Sequence, residues 1–260
     1  MGGNRRMTRN LAIVAAMTAL VACTPTVPLT STDSGGADIR ASGELFKPDG
    51  AGPFPAVVVL HGCSGLTVNQ QAWAQRLNRW GYVAFVIDSF GPRGVQTVCG
   101  TSDVPPSARA RDAFSAATWL RTQPFVDGER IGVIGFSHGG STVMQTVLEP
   151  VARSAEATPF RAAVAYYPGC RRTASPLATD VLILIGDADD WTPAERCAAY
   201  VASLAEQLHT AAIKRYPGAY HAFDAQGAAR SYLGHTLGFH PTAAEDSFAM
   251  TRAFFDARLK

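Results

Sequence analysis

Apolar positions fall into two rhythms along this chain. In the first they run nearly continuously, in PAVVVLHG (55–62), YVAFVID (82–88), RIGVIGF (130–136), FRAAVAYYPG (160–169), VLILIG (181–186) and, interrupted by Lys214 and Arg215, AAIKRYPG (211–218). Short continuous runs rich in Val, Ile and Ala are what strands buried on both faces require. In the second rhythm they recur at helical spacing. Trp73, Leu77 and Trp80 do so in 69–81, which stops at Gly81, and Ala110, Phe114, Ala117 and Leu120 do so in 107–123. GGSTVMQTVLE, 193–209 and 242–259 complete the predicted helices. Alternation of such strands and helices predicts a single α/β domain, its central sheet mostly parallel and covered on both faces.

The first residues stand outside this pattern. MGGNRRMTRN holds three arginines and no acid, and the apolar LAIVAAMTALVAC that follows is too short to span a bilayer but suits the core of a signal peptide. Its end, Leu20-Val21-Ala22-Cys23, resembles the lipobox of bacterial lipoproteins. That resemblance implies removal of residues 1–22, lipidation of Cys23, and an exported protein, periplasmic or in the envelope, touching the membrane only through its anchor. The Pro-, Ser-, Thr- and Gly-rich stretch after Cys23 reads as a flexible tether over 23–38, leaving 39–260 as the folded domain. Loss of Arg5, Arg6 and Arg9 takes the formal charge from +2 to −1 (2 − 3), so no basic surface remains to attract nucleic acid. Four of the five cysteines then remain, Cys63, Cys99, Cys170 and Cys197. An even number in an exported chain points to disulfides, with three connectivities open. No Cys or His spacing suggests a metal.

The chemistry concentrates where the strand 130–136 stops. Gly135-Phe136-Ser137-His138-Gly139 is the Gly-x-Ser-x-Gly nucleophile elbow, with an apolar strand before it and a helix-compatible segment after it. Serine needs a base to take its proton, and the base needs an acid to orient it. On such a fold the order is Ser, acid, His, each after a strand. VLILIG leads into Asp187-Ala188-Asp189-Asp190, and AAIKRYP leads into Gly218-Ala219-Tyr220-His221. His221 is therefore the expected base, ahead of His61, His138, His209, His235 and His240.

HGCSG, DSFGPRG, GFSHGG, YYPGC, GDADDWTP and YPGAYHAF together resemble the dienelactone hydrolase family of α/β-hydrolases, over residues 40–258. The resemblance implies an α/β-hydrolase fold. Its Gly-x-x-Asp-x-x-x-Pro segment, here Gly186 to Pro193, selects Asp189 as the acid, with Asp190 next in line. The best-known members use a cysteine nucleophile and a glutamate in the first strand-end turn. Here Ser137 takes the cysteine's place and His61-Gly62-Cys63-Ser64-Gly65 has no carboxylate, so an ordinary ester or lactone is the expected small-molecule substrate.

The oxyanion donors are expected to be the backbone amides of Cys63 and His138. The family's strand order implies bridges Cys63–Cys99 and Cys170–Cys197 at the active-site edge. No insertion is long enough for a cap domain. Arg93 lies near the position of a family arginine that contacts a substrate carboxylate, and Phe90, Tyr167 and Trp191 are candidates to line the pocket. The expectation is a serine hydrolase needing no cofactor or metal. The rivals are a non-catalytic envelope-binding protein on a hydrolase scaffold and a peptidase of the prolyl-oligopeptidase type.

Overall fold

The computed structural model describes residues 26–32, 38–171, 175–204 and 207–260. The chain order is β1 (Thr26–Thr32), β2 (Asp38–Phe46), β3 (Phe54–Leu60), α1 (Val68–Arg79), β4 (Val83–Asp88), α2 (Pro106–Arg121), β5 (Val126–Phe136), α3 (His138–Thr146), α4 (Glu149–Ser154), β6 (Ala162–Tyr166), β7 (Val181–Gly186), α5 (Ala194–Ala202), β8 (Ala211–Tyr216), a short hairpin β9 (Arg230–Tyr232) and β10 (His235–Leu237), and α6 (Pro241–Leu259). Eight strands form one sheet in the order β1-β2-β4-β3-β5-β6-β7-β8. From β4 to β8 every pairing is parallel, while β1–β2 and β2–β4 are antiparallel. The mostly parallel sheet is the one that the sequence pattern predicts, and the whole is the α/β-hydrolase arrangement that the family resemblance implies.

β4, β6 and β7 are apolar along their length because both faces of the sheet are covered. β5 shows the two layers directly. A side chain at Gly132 would meet Leu259 and Phe255 of α6, whereas one at Gly135, on the opposite face, would collide with the backbone of Gly139 in α3. α1 joins α6 on the first face, where the Trp73 ring lies 5.2 Å from Phe248 and 5.3 Å from Phe136. α1 starts at a capping box formed by Thr67 and Gln70.

Two departures from expectation concern the edges. The segment expected to be a tether contains β1, and the folded sheet starts at Thr26 rather than 39. Pro28 is tolerated because β1 is the edge strand, where a missing N–H breaks no ladder. The helix expected over 193–209 ends at Ala202, where Ser203 turns its hydroxyl onto the carbonyl of Tyr200 at 2.7 Å. The expected signal segment and Cys23 lie outside the described residues. Among the described residues no helix is long and apolar enough to cross a membrane, and no domain stands between β6 and β7.

Candidate active site

β5 delivers its last buried residue, Phe136, and the chain then turns at Ser137 with φ 54° and ψ −114° before entering α3. A serine with positive φ is strained, and the turn is held from several sides. The Ser137 N–H donates to the carbonyl of Tyr166 at 3.0 Å, and the Ser137 carbonyl accepts from the Ser141 N–H at 2.8 Å. The glycines exist for close approach. A Cβ at Gly139 would strike the carbonyl of Leu60, and one at Gly140 would sit 2.6 Å from the carbonyl of Tyr166.

Asp189 and His221 arrive from the ends of β7 and β8. These ends are drawn together at Gly186, where any side chain would collide with the carbonyl of Ala219, and the Ala188 N–H donates to that same carbonyl at 3.0 Å. The result brings three side chains into line. His221 Nδ1 donates to Asp189 Oδ2 at 2.8 Å, and His221 Nε2 lies 2.9 Å from Ser137 Oγ, placed to accept its proton. Both His221 and Asp189 are buried. Asp189 is fixed further by the backbone N–H groups of Trp191 and Thr192, at 2.9 and 2.8 Å, and by the Thr192 hydroxyl at 2.9 Å.

The other aspartates of that loop have different tasks. Asp187 pairs with Arg215. Asp190 accepts the Thr236 N–H at 3.1 Å and lies 3.5 Å from His235 Nδ1, so it clasps the β9–β10 hairpin to the loop. Of the rival histidines, His61 is fully buried under Ser89, His209 stands by Asp180, and His240 caps α6.

A cavity of about 320 Å³ opens over Ser137 and His221, walled by Gly62, Cys63, Tyr167, Trp191, Arg230 and Tyr232 among others. Tyr167 and Trp191 thus take the wall positions expected of them. The Tyr167 ring lies 4.7 Å from the His221 ring, and its hydroxyl donates to Asp224 at 2.6 Å. Burial, reinforced by that carboxylate, holds the phenol well above its ordinary pKa. Asp224 also accepts from Trp73 Nε1 at 2.7 Å and Asn69 Nδ2 at 3.2 Å.

Arg93 and Phe90 do not belong to this wall. Arg93 forks onto both oxygens of Asp112 at 2.7 and 2.8 Å, because a fully buried carboxylate requires a cation. Phe90 is buried against His61, with ring centroids 4.5 Å apart. Both expected bridges, Cys63–Cys99 and Cys170–Cys197, are present.

Two features escaped the sequence reading. The hairpin that supplies Arg230 and Tyr232 is absent from the predicted elements. The second is Arg109, fully buried in α2, which donates to His138 Nδ1 and to the His61 carbonyl, each at 2.8 Å. Burial lowers its pKa to about 9. Among the described residues no group of three or more His, Cys, Asp or Glu is placed to hold a metal ion.

Comparison with known proteins gives concordant results. The model of the dienelactone hydrolase family matches residues 41–259. The "Putative carboxymethylenebutenolidase" of Synechocystis sp. is 24% identical over 243 residues, covering 86% of this chain and 94% of that one. The solved structure of a "Putative Dienelactone Hydrolase" from Klebsiella pneumoniae superposes with a TM-score of 0.67 at 25% identity, covering 90% of this chain and 99% of that chain. A dienelactone hydrolase-like promiscuous phosphotriesterase from metagenomic libraries gives a TM-score of 0.73 at 24% identity, covering 91% and 99%.

Proposed function

Since the chain belongs to the dienelactone hydrolase family, and so to the carboxylic ester hydrolases, we propose that it cleaves esters or lactones with a serine nucleophile. The observation that carries this reading is the continuous hydrogen-bonded line from Asp189 through His221 to Ser137, at 2.8 and 2.9 Å. In the proposed reaction Ser137 Oγ attacks the substrate carbonyl while His221 Nε2 takes its proton. Asp189 holds the imidazole in the tautomer with hydrogen on Nδ1 and stabilises the imidazolium that forms. The negative oxygen of the tetrahedral intermediate rests on the amides of Cys63 and His138. His221 returns its proton to the leaving alkoxide, and water then repeats the sequence on the acyl-enzyme, freeing the acid and Ser137. For a lactone the leaving alkoxide stays attached, and the product is a hydroxy acid.

The test is intact-mass analysis after exposure to a fluorophosphonate. A single adduct is expected on the wild type, none on Ser137→Ala, and much slower labelling of His221→Ala. Absence of any adduct on folded wild type would refute an activated serine.

Export with a lipid anchor at Cys23 belongs to the same proposal. Two disulfides support an oxidising compartment. β1 begins at Thr26, three positions after Cys23, so the anchored form has little tether. The expected outcome is a membrane-bound product whose N-terminal Cys23 carries lipid by mass spectrometry, released as a soluble form in Cys23→Ala.

A further inference from the structure

A second cavity, of about 740 Å³, lies on the other side of Trp191 from the Ser137 cavity. The proposed chemistry makes no use of it, and its walls have a consistent character. His138, Arg171, Arg196 and Tyr200 line it, and among the described residues no Asp or Glu does. Arg171 and Arg196 are exposed and have no ion pair among the described residues. The Tyr200 hydroxyl is buried and has no hydrogen-bond partner among the described residues, an unfavourable arrangement unless something else fills it. His138 Nδ1 accepts from Arg109, so the neutral ring carries its hydrogen on Nε2 and is a donor at its free end.

Two helices also begin at this cavity. The first turns of α2 and α5 contribute Ser107 and Arg196 to its wall, and neither helix has a side-chain cap. Uncapped N-termini leave backbone N–H groups and the positive ends of helix dipoles facing outward. The one acid in those first turns, Glu195, is engaged by Arg215 at 2.6 Å.

Cationic side chains, an unpartnered donor and the N-termini of α2 and α5 converge on one space, with no compensating carboxylate among the described residues. We propose that this cavity binds an organic anion, a carboxylate or phosphate, at a site separate from the Ser137 cavity and divided from it by Trp191. Its volume exceeds what an inorganic ion fills, so the ligand carries a carbon skeleton that packs against Trp191 and Met144 while its charge meets Arg171 and Arg196.

The test is calorimetric titration of the full chain with inorganic phosphate, with succinate and with the uncharged succinamide, in wild type, Ser137→Ala, Tyr200→Phe and the Arg171→Gln/Arg196→Gln double variant. Saturable 1:1 binding of succinate or phosphate is expected in wild type and Ser137→Ala alike, and which of the two binds tighter identifies the charged group. Succinamide should not bind. The double variant should lose about tenfold or more in affinity, and Tyr200→Phe a smaller factor. The two arginines are exposed, so circular dichroism should show both variants folded. Failure of both anions to bind, equal binding of succinamide, or unchanged affinity in the double variant would overturn the proposal. None of these outcomes depends on Ser137 being reactive.

Discussion

The guanidinium of Arg109 donates one hydrogen bond to Nδ1 of His138 and another to the carbonyl of His61. It thereby ties the turn after Ser137 to the turn after β3, the two loops whose amides are the proposed oxyanion donors. Lysine in its place cannot span both acceptors, because it has one nitrogen rather than a planar fork. Arg109→Lys is expected to lower kcat by roughly 10–100-fold with little change in KM, since small misplacements of a preorganised site act on the transition state. Steady-state kinetics on an activated aryl ester reads this directly. A variant with altered KM and intact kcat would show that Arg109 serves only packing.

The same contact makes a prediction about acid. Burial first, and the Arg109 charge second, push His138 down to about 4, and His61 is likewise held well below its ordinary value by burial and then by Arg109. Folded protein therefore keeps both rings neutral where the unfolded chain has begun to protonate, so the unfolded state binds more protons. Stability is fully present above about pH 6.5 and declines as pH falls towards 4. Asp180 and Asp256, held below the ordinary aspartate range by hydrogen bonds and cations that outweigh burial, add their loss only at more acidic pH. Urea denaturation across this range should show a shallower decline in His138→Gln, whose amide oxygen can still accept from Arg109. An unchanged slope would exclude His138 as the source.

Neighbouring aspartates should separate cleanly. Asp189→Asn preserves shape but lets the amide favour the wrong imidazole tautomer, and kcat is expected to fall about 10⁴-fold. Asp190 bonds the hairpin rather than His221, so Asp190→Asn should leave kcat within a few-fold and mainly raise KM by loosening the wall that carries Tyr232. Equal losses in kcat would mean that the loop rearranges and that the assignment of the acid is wrong.

The contrast between what the chain announced and what it concealed has physical causes. Ser137 and His221 are legible because each follows a strand and sits amid glycine or tight-turn chemistry, which leaves local marks, whereas the local pattern leaves Asp187, Asp189 and Asp190 open and only the family resemblance singles out Asp189. The inner parallel strands β6 and β7 are legible because burial on two faces leaves no polar positions. β1 is hidden because TVPLTST has a tether's composition and becomes a strand only through pairing with β2. The hairpin is hidden because its turn uses Leu233 and Gly234, both at positive φ, where Asn-Gly or Asp-Gly would have been the recognisable signal. Arg93 misled because its sequence position resembles a ligand contact, while its partner Asp112 lies a helix away. Arg109 is the same failure reversed: an arginine within a helical pattern reads as exposed until the fold closes over it.

The two disulfides offer a way to separate stability from preorganisation. Cys63–Cys99 closes 36 residues and Cys170–Cys197 closes 27, so loop-entropy considerations give them similar stabilisation, about 3–4 kcal/mol each. Their positions differ in consequence. Cys63 sits in the turn with a proposed oxyanion amide, and its carbonyl is held from the other side by the Val98 N–H at 2.8 Å. Cys197 lies in α5, and its sulfur faces the carbonyl of Pro168 rather than the Ser137 cavity. Cys63→Ala/Cys99→Ala and Cys170→Ala/Cys197→Ala should therefore lose similar amounts in chemical denaturation, while only the first loses kcat substantially, since misplacing one oxyanion donor costs up to about 10²–10³ in turnover. Matched losses of kcat in both variants would mean that the bridges act only by holding the fold together. A kcat loss confined to the first would show that its covalent link keeps the Cys63 amide aimed at the reacting carbonyl.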